Sequence, residues 1–376
     1  MNKILIIAGE ASGDRHAADL VREISRIRPE TEFVGIGGDE MEAAGVELLY
    51  HISQMAVLGI TEILRHLPFI RKAQQRIKAE LSRGIDAVML VDYPGFNLRI
   101  AKIAHELNVP VIYYISPQLW AWGEKRVEKV RKYVDLMLVL FHFEADFYKK
   151  YGINAQFVGH PLVDQIKIAQ SEADFRRENS LSSDKPIIGL FPGSREMEVR
   201  NLLPVMMEAA HRLRRQFGCL PVIGRSTYLP KKLYHDICGG EDVSILSGVS
   251  HQLMQFSHAA MVASGTATLE CGYLQTPMVV LYAVSPITYW LGRLLIKIDN
   301  IALVNIVAGE EIVPEFIQKD MTVSAVGKAM ARYFDDSDYY RSVKRKLAKI
   351  NAALGEGGAS RHAAEQIDHF LRGKRQ

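Results

Sequence analysis

Residues 3–14 read KILIIAGEASGD. An apolar run from Ile4 to Ile7 ends in a turn of small residues, the form taken by strands that deliver a binding loop in α/β proteins. The segment that follows, RHAADLVREISRI, repeats Leu20, Val21, Ile24 and Ile27 at helical spacing. Strand, loop and helix therefore succeed one another. A dinucleotide fingerprint would place glycines in this loop, but Glu10, Ser12 and Asp14 stand there instead. Carboxylates repel a diphosphate, yet they can orient sugar hydroxyls or accept a proton.

The same alternation recurs in EFVGIGG (32–38), AVMLVDYPG (87–95), PVIYYIS (110–116), LMLVLF (136–141) and AQFVGHPL (155–162). Continuous apolar, β-branched runs separated by helices indicate a parallel sheet covered on both faces. Residues 167–185, which include SEADFRRENSLSSDK, are polar and read as a linker with one short helix. A second series then begins: PIIGLFPGSRE (186–196), LPVIGR (220–225), VSILSG (243–248), AAMVASGTA (259–267) and PMVVLYAV (277–284). From about Val323 the chain reads as helical, with a glycine-rich break at LGEGGAS (354–360). The expected fold is α/β, with two Rossmann-like, doubly wound domains facing a cleft. Residues 1–166 form the first, residues 186–340 the second, and residues 341–376 are helices suited to packing on the first domain or on a second chain. A length of 376 residues fits two domains.

Composition narrows the function. A net charge of +3 gives no footprint for nucleic acid. No run resembles a spanning helix, and the first residues read as a strand rather than a signal peptide. Cys219, Cys238 and Cys271 lack metal spacing and suit a reducing cytoplasm. No two histidines stand at ligand spacing with a carboxylate, so no metal site and no cofactor is expected.

In open α/β sheets, ligands bind at the carboxyl ends of strands, which directs attention to the residues after each run. In VASGTATLECG (262–272), Gly265 and Thr266 suit a phosphate at a helix start, and Glu270, one turn on, suits ribose hydroxyls. The same residues also suit a tight turn whose acid complements the helix dipole. In LFPGSRE (190–196), Ser194 and Arg195 offer a second anion cradle, since a guanidinium matches a diphosphate bidentately; a turn with a solvated arginine is the plain alternative. Asn305, in VNIVAG, needs partners if buried, either backbone or donor. Asp92 ends the strand in LVDYPGFN (90–97) and is placed to take a proton from a hydroxyl, while Asn97 suits a helix cap. Gln118, Trp120 and Trp122, in YYISPQLWAWGEKR (113–126), suit a sugar or acyl site, or core packing. His160 fixes a turn.

The motifs AGEASGD, YYISPQLWAW, GHPL, FPGSREMEV and SGTATLE stand in the order found in lipid-A-disaccharide synthases, and the chain resembles that family from about Ile4 into the C-terminal helices. The resemblance implies a glycosyltransferase-B fold. It implies transfer of diacylglucosamine from a UDP carrier to the 6-hydroxyl of diacylglucosamine 1-phosphate, giving a β-1,6 disaccharide and UDP. By the same resemblance Asp92 is the favoured general base and Glu10 belongs to the N-terminal loop facing the acceptor. Arg195 and Asn305 handle the donor, and Gly265, Thr266 and Glu270 form the nucleotide loop. Many members carry a second aspartate three residues after the first; here that position is Gly95, which leaves the base to Asp92 or Glu10. A UDP-sugar epimerase of the same fold is the alternative reading. A dehydrogenase lacks its glycine fingerprint, and a lipid carrier would leave the phosphate cradles idle.

Acyl chains need an apolar surface. In MAVLGITEILRHLPFIRKAQQRIK (55–78), Ile60, Ile63, Leu64 and Leu67 share a helical face beside Arg71 and Lys72. Such a helix suits an anionic membrane surface, although most helices of this kind pack on a sheet. The expectation is a cytoplasmic protein held peripherally on the inner face of the inner membrane.

Overall fold

The computed structural model describes residues 2–55, 60–123, 126–240, 243–283 and 300–374; for Asn2, residues 60–67 and Trp122 it describes the backbone alone. The chain divides into two compact units, Met1–Asp164 with Leu354–Gln376, and Gln165–Ala353.

The first unit is built on strands β1 (Asn2–Ala8), β2 (Thr31–Gly37), β3 (Val46–His51), β4 (Ala87–Val91), β5 (Val111–Tyr114), β6 (Leu136–Val139) and β7 (Ala155–Phe157). They form one sheet in the order β3-β2-β1-β4-β5-β6-β7, with every pairing parallel. Every residue of β4, β5 and β6 is buried, as a sheet covered on both faces requires. The second unit carries β8 (Ile187–Phe191), β9 (Leu220–Arg225), β10 (Ser244–Ser247), β11 (Ser257–Ala263), β12 (Met278–Tyr282) and β13 (Glu315–Ile317). Its order is β10-β9-β8-β11-β12-β13, again parallel. Each of the eleven quoted apolar runs contains a strand. Among the described residues, the two strands outside those runs are β3, VELLYH, which Glu47 interrupts, and β13, EFI, which is three residues long.

The polar segment before β8 is packed rather than free. Ser171 caps the helix Glu172–Glu178 by accepting from the Asp174 N–H at 3.2 Å. Phe175 is buried against Phe256, with ring centroids 5.4 Å apart. The Arg176 guanidinium donates to the carbonyls of Ser182 and Lys185 at 2.6 and 3.0 Å, folding the segment back on itself. At the other end, helices Val323–Asp335 and Ser337–Leu354 belong to the second unit, and the chain then returns to the first. Helix Ala359–Gly373 lies along helix Ala11–Ile27, pinned where Arg28 Nε donates to Asp368 Oδ1 at 2.5 Å. Asp164 caps it, accepting from the N–H groups of Gly358 and Ala359 at 2.7 and 3.3 Å.

Candidate active site

In a parallel sheet every strand delivers its loop to the same edge. Strands β1 and β4 are neighbours, so the loops carrying Glu10 and Asp92 are adjacent. They touch closely: a Cβ on Gly9 would lie 2.3 Å from the Tyr93 ring, so only glycine admits that ring.

Asp92 and Tyr93 both hold left-handed backbone conformations, with φ of 44° and 47°. This is costly for non-glycine residues and persists where the surroundings over-determine it. Here the Asp92 carbonyl accepts from the Tyr113 hydroxyl at 2.6 Å and from Asn97 Nδ2 at 2.8 Å. Asn97 is fully buried and also donates to the Val91 carbonyl at 3.2 Å, so it staples the turn from within the helix Pro94–Glu106 rather than capping that helix. The Asp92 carboxyl is pushed up to about 6, first by burial and then by the negative charge of Glu10. Glu10 itself is exposed at the start of helix Ala11–Ile27, where its side chain makes no capping bond.

The other acid of the first loop has a different task. Asp14 is buried and accepts from the N–H groups of Gly38, Glu40 and Met41 at 2.6, 3.1 and 3.2 Å, fastening the first helix to the turn after β2. Of the two carboxylates in AGEASGD, one is structural and one faces solvent beside Asp92.

Beyond β5, Gln118 is exposed and Trp120 half-buried. Trp120 donates through Nε1 to Glu144 Oε1 at 3.2 Å and meets Phe143 edge to face. His160 accepts the Leu162 N–H on Nδ1 at 3.1 Å, and its backbone N–H donates to the Leu354 carbonyl at 2.8 Å, so it ties a turn to the returning chain. Burial pushes its imidazole down to about 4, which keeps it neutral.

Helix Ile60–Leu81 contains the predicted lipid-facing stretch. The side chains of Ile60, Ile63, Leu64 and Leu67 lie outside the described residues, as does that of Trp122. Further along, Arg71 and Lys72 are exposed, while Ala73 and Ile77 are buried against the sheet.

The anion-binding candidates gather in the second unit. Strands β8 and β11 are neighbours, which places Ser194 and Arg195 in one loop and Gly265 and Thr266 in the next. Helix Thr266–Tyr273 begins after Gly265 without a side-chain cap. Thr268 turns inward and donates to the Gly265 carbonyl at 2.8 Å. Glu270 lies one turn in, half-buried, with His251 Nε2 at 3.7 Å.

The loop after β8 already holds a carboxylate. Glu198 Oε2 accepts from the N–H groups of Ser194 and Arg195 at 3.1 and 3.2 Å, and its Oε1 lies 3.3 Å from Arg195 Nη1. Gly193 makes room for it: φ there is 109°, and a Cβ would strike Glu198 Oε2 at 2.3 Å. The guanidinium is otherwise free to move, being 83 % exposed. Sequence reading passed over Glu198, although an acid three residues after a helix N-cap is the signal of a capping box.

Asn305 stands apart from the other donor candidates. It is fully buried, and both ends of its amide are engaged. Nδ2 donates to the Val313 carbonyl and to Glu315 Oε1, each at 2.8 Å, while Oδ1 accepts from the N–H groups of Ile312 and Val313 at 2.9 and 3.1 Å. Glu315 in turn accepts from the N–H groups of Ile301 and Ala302. Asn305 thus braces the strand-end segment from within.

Among the described residues, no three His, Cys, Asp or Glu side chains gather in a metal-holding group, and no helix is long and apolar enough to cross a membrane.

Comparison with known proteins gives this arrangement a context. The family profile for lipid-A-disaccharide synthetase matches residues 4–368. A lipid-A-disaccharide synthase of Geobacter metallireducens is 40% identical over 377 residues, covering 99% of this chain and 98% of its own. Among solved structures, the UDP-GlcNAc 2-epimerase of Neisseria meningitidis bound to UDP-GlcNAc superposes with a TM-score of 0.63 at 13% identity, covering 98% of this chain and 100% of its own. The calicheamicin glycosyltransferase CalG4 does so with 0.62 at 15%, covering 99% and 98%. At such identities the two structures share a fold with this chain, whereas the sequence match extends through the whole of it. The chain belongs to the lipid-A-disaccharide synthase family, glycosyltransferases of lipid A biosynthesis.

Proposed function

We propose that the protein transfers 2,3-diacylglucosamine from its UDP carrier to the 6-hydroxyl of 2,3-diacylglucosamine 1-phosphate with inversion, and that Asp92 is the base. The acceptor oxygen attacks the anomeric carbon from the face opposite UDP. Its proton passes to Asp92 as the new carbon–oxygen bond forms. The bond to the diphosphate breaks, and UDP leaves with the electron pair. The observation that carries this reading is the Asp92 carboxyl at the end of β4, held on a braced turn and raised toward neutrality by burial and by Glu10. A base of that strength accepts a proton better than an ordinary aspartate while remaining ionised at pH 7. Glu10 orients the acceptor's hydroxyls.

The second unit takes the UDP. Arg195, Ser194 and the N–H groups at Gly265–Thr266 receive the charge that builds on the leaving diphosphate; one such donor is worth about 3 kcal/mol. Glu270 accepts from the ribose hydroxyls. Asn305 contributes by holding its segment in place. These donors take the charge of the leaving group without a metal, so turnover persists in the presence of chelator. The exposed Arg71 and Lys72 attach the protein to an anionic membrane surface, which supplies both acylated substrates.

The test is an assay of purified protein with both substrates and chelator, followed for disaccharide and UDP. Wild-type protein releases the two in equal amounts. Asp92→Ala lowers turnover by orders of magnitude and leaves UDP affinity unaltered; near-normal turnover in that variant refutes the assigned base. Release of an epimerised UDP-sugar in place of disaccharide would favour the epimerase reading that the shared fold allows.

A further inference from the structure

Glu144 is a buried acid that the mechanism above does not use. It sits in the first turn of helix His142–Lys149, 4 % exposed, with four donors converging on its two oxygens. Oε1 accepts from the Ser116 hydroxyl at 2.7 Å and from Trp120 Nε1 at 3.2 Å. Oε2 accepts from the N–H groups of Leu140 and Phe141 at 3.2 and 3.3 Å. One carboxylate therefore bolts the segment after β5 to the end of β6.

That segment is held under strain. Ile115 has a φ of 64°, a left-handed conformation that a β-branched side chain resists. Besides the Glu144 bonds, the Tyr148 hydroxyl donates to the Pro117 carbonyl at 3.2 Å, and Phe143 packs edge to face on Trp120 with centroids 5.0 Å apart. Strain fixed from several directions at a strand end marks a pre-organised surface. The segment presents the exposed Gln118 amide and the half-buried Trp120 ring. Because β5 neighbours β4, it opens on the same sheet edge as Asp92, whose carbonyl the β5 residue Tyr113 already grips.

We infer that Glu144 is a positioning residue that locks Trp120 and Gln118 into a platform for the hexose ring of the acceptor. The indole face stacks on the sugar's C–H face, and the Gln118 amide meets a hydroxyl. This inference rests on the function proposed above. Deletion of one of the four bonds loosens the platform without touching the base. Burial pushes the Glu144 carboxyl up to about 7, and protonation would likewise remove one acceptor site. The groups facing it are the Ser116 hydroxyl, the Trp120 indole, the Leu140 and Phe141 N–H groups and the Tyr148 phenol.

The experiment compares Glu144→Gln, Ser116→Ala, Trp120→Phe and the Glu144→Gln/Trp120→Phe double variant with wild type. It measures kcat, KM for each substrate and UDP affinity. Expected is a rise of roughly tenfold in acceptor KM for Glu144→Gln, equivalent to about 1.4 kcal/mol, with kcat and UDP affinity near wild type. The double variant should be no worse than the poorer single, because both changes loosen the same platform. An unaltered acceptor KM, or equal losses in kcat and UDP affinity, overturns the assignment. If Glu144→Gln fails to fold, Ser116→Ala and Trp120→Phe decide by the same split. If wild-type protein forms no disaccharide, the proposed function fails first. The platform is then tested by quenching of tryptophan fluorescence with diacylglucosamine 1-phosphate, in wild type against Trp120→Phe; equal quenching overturns it.

Discussion

Asp92 and Glu10 end adjacent strands, and after burial the negative charge of Glu10 is the second force that raises the Asp92 carboxyl to about 6. The active form of a base is the ionised one. Turnover should therefore fall tenfold per pH unit below about 6. Glu10→Gln removes the charge that disfavours ionisation, so its acid limb moves to lower pH. Its plateau rate also falls modestly, because a less basic carboxylate accepts a proton less well. A pH–rate profile of kcat for the two proteins checks this, and an unmoved limb contradicts the coupling.

The same raised carboxyl has a consequence for stability. A folded-state value near 6 against an unfolded value near 3.8 means that the folded form binds the proton more tightly. Below about pH 3.8 both states are protonated and nothing is lost. As pH rises through 6, the native state bears an ionised acid it disfavours, at a cost of up to about 3 kcal/mol. Asp92→Asn should therefore be inactive yet more stable than wild type at pH 8, with the gain vanishing near pH 4. Urea denaturation at the two pH values measures it.

Much of this was legible before the fold was known. Strands in the middle of each sheet are buried on both faces and announce themselves as unbroken apolar runs, as β4 does in AVMLV. The strands β3 and β13 do not, because Glu47 interrupts the one and the other is only three residues long. At the candidate site, Asp92 drew attention as an acid at a strand end. The bonds that brace its turn were not legible, since Tyr113 and Asn97 lie 21 and 5 residues away and look like core. Asp14 and Glu10 are equivalent acids in a string of letters. Only the convergence of three N–H groups from the turn after β2 separates the structural one from the other.

Glu198 occupies the donors that the proposed UDP site would use. Its carboxylate takes the Ser194 and Arg195 N–H groups and pairs with the guanidinium. An exposed pair of this kind is weak, on the order of 1 kcal/mol or less, so an incoming anion can displace it. Glu198→Gln keeps an acceptor for the N–H groups while removing the repelling charge. UDP should bind several-fold tighter to this variant, measured by calorimetry. Weaker binding would mean that the carboxylate holds the loop in its receptive shape.

Asn305→Ala should act on stability before it acts on the donor. It strips partners from the Ile312 and Val313 N–H groups and the Val313 carbonyl, all in a buried setting. Each orphaned group costs about 1–3 kcal/mol, so the midpoint of denaturation should drop by an amount corresponding to several kcal/mol. A variant with wild-type stability and lost UDP binding would instead assign Asn305 to the ligand.

Membrane attachment is the remaining claim open to a direct measurement. Arg71 and Lys72 lie exposed on a helix whose Ala73 and Ile77 anchor it to the sheet, so their charges point away from the core. Each basic residue near an anionic surface contributes about 1 kcal/mol, so Arg71→Ala/Lys72→Ala should weaken binding to phosphatidylglycerol vesicles roughly thirtyfold at low salt. Binding should also fade as ionic strength rises and the Debye length shrinks toward about 3 Å at 1 M. Sedimentation with anionic and neutral vesicles separates the contributions. Equal binding to both would place the attachment in apolar contact, and no binding to either would remove the membrane from the proposal.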